Sequence, residues 1–81
     1  MPRYHFHVAD GRDYPDLQGS VFPDLQSARV EAVRFSGHLL SDEAARFWEG
    51  AEWTMRVTDD QNMTLFTLMF VATEAPAISG S

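Results

Sequence analysis

Two histidines, His5 and His7, stand two residues apart in an alternating segment, Arg3 to Val8. In a strand, residues i and i+2 project from one face, so both imidazoles could grip a single metal ion. Zinc needs at least a third ligand, and Glu52 or Asp13 could supply a carboxylate if its strand lies alongside. The competing reading is a pair of polar residues on an exposed or interfacial sheet face. His38 and Asp42 stand four apart, with Arg34 one turn earlier. A carboxylate can orient and charge an imidazole for proton transfer. On the wet side of a helix, however, no pocket excludes water, and surface pairing is expected instead. Serines 20, 27, 36, 41, 79 and 81 occupy no Gly-x-Ser-x-Gly elbow, and no glycine-rich phosphate loop is present. With no cysteine, thiol catalysis, disulfides and Cys-based metal sites are excluded. No catalytic residue and no cofactor is expected.

The elements that must position these residues follow from periodicity. Tyr4, Phe6 and Val8 share one face of the opening strand, with Arg3, His5 and His7 on the other. Asp10-Gly11 is a turn signal, and a second short strand around Arg12 to Leu17 returns beside the first, limited by Pro15. Pro23-Asp24 opens a helix with Asp24 as N-cap. Leu25, Ala28, Ala32, Phe35 and Leu39 form its apolar stripe, widened by Val33 and Leu40. A kink is expected at Ser41-Asp42, and Gly50 is the natural stop. Trp53, Met55 and Val57 share one face of a third strand, and Asn62 is the turn residue suited to a left-handed conformation. A last strand, Met63 to Val71, puts Phe66, Leu68 and Phe70 on one side and Leu65, Thr67 and Met69 on the other.

The expected fold is therefore α+β, a two-layer sandwich of an antiparallel four-stranded sheet and one long helix, in the order β-β-α-β-β. Residues 1–71 form a single domain and 72–81 a loosely held C-terminal tail. Phe6, Ala28, Ala32, Phe35, Leu39, Trp53, Val57, Phe66, Leu68 and Phe70 are its expected core. Tyr14-Pro15-Asp16-Leu17-Gln18 resembles Phe22-Pro23-Asp24-Leu25-Gln26, but the eight-residue offset matches no repeat architecture and reads as coincidence.

Six basic residues, all arginine, stand against twelve acids in 81 residues, a net charge of −6. No stretch is basic enough for phosphate binding by counterion release, so nucleic acid and anionic membranes are not expected partners. The start lacks the apolar run of a secretory signal, and the uncharged stretch between Asp60 and Glu74 is short of the roughly 20 residues that span a bilayer. A cytoplasmic location is expected.

Met1-Pro2-Arg3-Tyr4, Phe6-His7-Val8, Asp10-Gly11, Pro23-Asp24-Leu25 with Ala28 and Ala32, and Val57-Thr58-Asp59 together resemble an uncharacterised family of small bacterial domain proteins. The resemblance spans about the first 71 residues. His5 departs from the pattern, which favours an aromatic there, as does Asn62, where glycine is commoner. The resemblance implies a small cytoplasmic α+β domain with no established activity and no functional residues to carry over.

The outer sheet face is the more informative surface. It sets Leu65 and Met69 among Thr54, Arg56, Thr67, His5 and His7, a semi-apolar patch that a second copy or another protein would cover. A non-catalytic protein-binding or assembly module acting as a homodimer is the expected function, with Leu65, Thr67, Met69, Thr54 and Arg56 at a face-to-face interface; edge-to-edge pairing of sheets is the competing route, favoured if the last strand is an unprotected edge. A small metal-binding protein using His5 and His7 is the alternative, as is an antitoxin-like regulatory partner.

Overall fold

A computed structural model describes residues 1–76. The strands are β1 (Arg3–Ala9), β2 (Asp13–Tyr14), β3 (Ser20–Val21), β4 (Glu52–Thr58) and β5 (Thr64–Val71), and the helices are α1 (Leu25–Asp42) and α2 (Ala44–Gly50). The fold is α+β, with an antiparallel sheet ordered β2-β1-β4-β5 and β3 paired to the start of β1. Registers Phe6↔Val57 and Val57↔Phe66 bring the apolar faces of the three long strands onto one side. Helix α1 lies against that side through Ala28 and Ala32, both fully buried, whose small side chains let the helix sit close to Tyr4, Phe6, Trp53, Met55 and Val57. Asp24 caps α1, its carboxylate accepting from the Ser27 amide at 2.8 Å.

Several expectations are corrected. There are five strands rather than four, because the second stops after Tyr14. Pro15 offers no donor, and the chain bulges away before rejoining β1 at Ser20–Val21. There are two helices rather than one, and the break falls at Glu43, not Ser41-Asp42. The Glu43 amide still bonds to the Leu39 carbonyl, and the turn there lets Phe47 of α2 reach Phe70, with ring centroids 5.1 Å apart. Helix α2 ends at Gly50 as expected, but the left-handed cap falls one residue later. Ala51 takes the left-handed conformation (φ 56°), pinned by its amide on the Phe47 carbonyl and its own carbonyl on the Ala72 amide. Asn62 is left-handed as expected, with φ 63°. The core includes Tyr4 and Met55, has Leu39, Phe66 and Leu68 only partly buried against it, and leaves Phe35 on α1 37% exposed and Phe70 on the outermost strand 51% exposed. Val33 faces water. Of the tail expected over 72–81, Ala72 continues the β4–β5 ladder by one bond, and its last five residues lie outside the described ones.

Candidate functional site

The two edges of the sheet are built differently, and each holds one group of the residues singled out above. On the β1 side, residues 15–19 fill the gap between β2 and β3. Asp16 does the work of a missing strand: its carboxylate accepts from the Phe6 amide of β1 at 3.0 Å and from the Gly19 amide at 3.0 Å. Gly19 is required here, since its φ is +72° and a Cβ would meet the Tyr4 carbonyl at 2.9 Å and the His5 ring at 2.8 Å.

His5 and His7 stack on the outer face of β1, ring centroids 6.1 Å apart and nearly parallel at 8°. Their hydrogen bonds fix opposite protonation states. His5 Nδ1 faces the Asp16 carbonyl at 2.8 Å and Nε2 faces the Asp60 carboxylate at 2.8 Å. Both partners only accept, so both ring nitrogens donate and His5 is an imidazolium. The Asp60 hydrogen bond, followed by the one to the Asp16 carbonyl, raises its pKa above 6.5. His7 Nδ1 instead accepts from the Asp16 amide at 3.1 Å, so His7 is neutral and donates from Nε2 to Thr58 Oγ1 at 3.1 Å. Burial, with the nearby charges of Arg56 and His5, lowers its pKa below 6.5. Burial alone would push Asp16 up, but the Gly19 and Phe6 amides and the His5 charge hold its carboxyl below 3.8.

All four ring nitrogens are thus engaged within the chain. The nearest carboxylate is Asp60, which the sequence reading did not single out. Asp13 and Glu52 lie opposite Ala9 and Val71 instead. Among the described residues, no group of three or more His, Asp or Glu is arranged to hold a metal ion. Arg34, His38 and Asp42 are all exposed on α1.

A cleft of about 770 Å³ opens between the helices and the β1 edge, floored by Phe6, Val8, Phe35 and Trp53. Arg46 closes one end, donating to the Tyr14 hydroxyl at 2.8 Å and lying 3.4 Å from the Asp10 carboxylate.

On the other side of the sheet β5 is the last strand, and among the described residues no element pairs with its far edge. Leu65 (38% exposed), Thr67 and Met69 (66% exposed) stand on the outer face beside Arg56 and the half-buried Thr54. All five interface candidates therefore lie on β4 and β5, with Arg56 opposite Thr67 and Thr54 opposite Met69.

The family model described as a domain of unknown function, DUF6894, matches residues 3–71. The chain belongs to that family. The DUF6894 match takes in every element described here, from β1 to β5. Neither a curated protein nor a solved structure matches the chain. No helix of the described DUF6894 chain is long and apolar enough to cross a membrane.

Proposed function

We propose that this DUF6894 protein is a non-catalytic assembly module that acts as a homodimer. One observation carries the reading: β5 is a boundary strand with no charged residue, and it exposes Leu65, Met69, Phe70 and Val71. Exposed apolar area of that kind on the boundary strand of a small domain favours a covered state, since burial gains about 25 cal/mol per Å². The histidine cluster supports the same reading. Its ring nitrogens are spent on holding residue 16 and the 59–62 turn in place, a structural task. Sedimentation velocity across a dilution series tests the proposal. A dimer that dissociates on dilution is expected, and a chain that stays monomeric at about 100 µM, where weak biological dimers form, overturns it.

A further inference from the structure

The sheet protects one edge and leaves the other bare. Beside β1, two short strands and the Asp16 carboxylate occupy the free backbone groups. Beside β5 nothing among the described residues does so. The phase of the ladder identifies the groups left over. The Ala72 amide bonds to the Ala51 carbonyl, and Glu52 lies opposite Val71. Antiparallel pairs alternate between bonded and non-bonded, so Phe70, Leu68 and Phe66 exchange bonds with β4. Thr67, Met69 and Val71 therefore turn their N–H and C=O groups outward, and the alternation ends at Leu65, which the register shift between Val57 and Thr58 leaves without a partner on β4.

We infer that a second copy of the chain pairs along this edge, β5 antiparallel to β5 about a twofold axis at Leu68, which joins two sheets into one. This rests on the self-association proposed above and names its contact. Three observations select a second copy as occupant. The edge can bond only to another extended strand, and β5 supplies one of matching length. In a chain of net charge −6, the run from Gln61 to Thr73 holds no charge, so two acidic molecules can meet here without opposing carboxylates in the contact. The register about Leu68 pairs Thr67 with Met69 of the other copy and Met69 with Thr67, so the regular part of the edge bonds to itself, and it sets Val71 across from the bulged Leu65. The same register sets Phe66 of one copy across from the half-exposed Phe70 of the other, and Leu68 across from itself. Face-to-face packing is the poorer geometry, because the outer face carries the Arg56 guanidinium, the His5 imidazolium and Asp60.

Thr67→Pro removes an outward N–H while leaving the bonds to β4 intact, and proline is tolerated on an edge strand. Edge pairing predicts that Thr67→Pro weakens the dimer roughly tenfold or more with the monomer fold retained by circular dichroism. Met69→Lys, which puts a charge on the outer face, stays dimeric. Because the chain has no cysteine, cross-linking reads the register directly. Oxidising an equal mixture of Thr67→Cys and Met69→Cys chains gives the mixed disulfide, since directly paired Cα atoms lie about 5.5 Å apart. Self-cross-linking of Thr67→Cys alone overturns that register. A dimer that survives Thr67→Pro, is split by Met69→Lys, or yields no cross-link overturns edge pairing while leaving self-association standing. A monomeric wild type removes both.

Discussion

The closest chemistry in this molecule happens at Asp16. One carboxylate bridges the amides of Phe6 and Gly19, while the Asp16 carbonyl accepts from His5 and the Asp16 amide donates to His7. The sequence similarity around Asp16 and Asp24, read as coincidence, has a shared local purpose. Each aspartate accepts from the amide three residues on, Gly19 and Ser27 respectively. The second copy continues into a helix, and the first turns into β3. Opposite protonation of His5 and His7 gives a pH signature. The raised pKa of His5 means its contribution is complete below 6.5 and is lost as pH rises through the raised value. The lowered pKa of His7 means the reverse: its contribution is complete above 6.5 and is lost as pH falls through the lowered value. Stability should therefore be greatest near pH 6.5. His5→Gln should flatten the alkaline side of the profile, and His7→Asn, which keeps an acceptor for the Asp16 amide, the acid side. Thermal melts between about pH 5 and pH 8 test this, and a profile that neither variant changes would contradict the assigned protonation states.

At the scale of elements, the packing divides the apolar residues into two kinds. Met55 is fully buried at the centre of the sheet beneath α1, where Ser36 Oγ lies 3.6 Å from its sulfur. Met55→Ala should cost about 2–5 kcal/mol, a large share of the about 5–15 kcal/mol that holds a domain together. Phe70, half exposed on the boundary strand and touching Phe47, should cost about 1–2 kcal/mol when cut to alanine in the monomer. Urea unfolding at low protein concentration measures both, and equal costs would mean that Phe70 is buried in the monomer rather than half exposed on the boundary strand. Much of this was legible in the sequence. Period two put Tyr4, Phe6, Trp53, Val57, Phe66 and Leu68 on one side, Asp24 announced the helix, and Asn62 the turn. What could not be read depends on neighbours distant in sequence. The break at Glu43 lets Phe47 reach Phe70, Ala51 turns left-handed because two bonds hold it, and Asp16 matters because β1 has an amide to satisfy. Leu65, Thr67 and Met69 were legible as one outward face. That their backbone also faces a free edge was not, because strand order is absent from local pattern.

For the whole molecule, charge and shape bear on assembly together. The Cα radius of gyration is 14.7 Å, where a closed domain of this length would have about 12 Å, because the molecule is elongated, 52 Å along one axis and 21 Å along the other two. Each copy carries a net charge of −6, and pairing two copies brings like charges into one particle. None of that charge lies in the run from Gln61 to Thr73 that forms the proposed seam. The repulsion is therefore long-range and screened by salt, while the seam itself consists of backbone hydrogen bonds and apolar contacts that salt hardly weakens. Raising ionic strength from about 0.05 M, where the Debye length exceeds 10 Å, to about 0.5 M should tighten the dimer several-fold. An interface built on ion pairs, with Arg56 meeting a carboxylate of the other copy, responds in the opposite sense. Sedimentation equilibrium at the two salt concentrations separates these cases, and a dimer that loosens with salt would place the contact on the charged outer face rather than along β5.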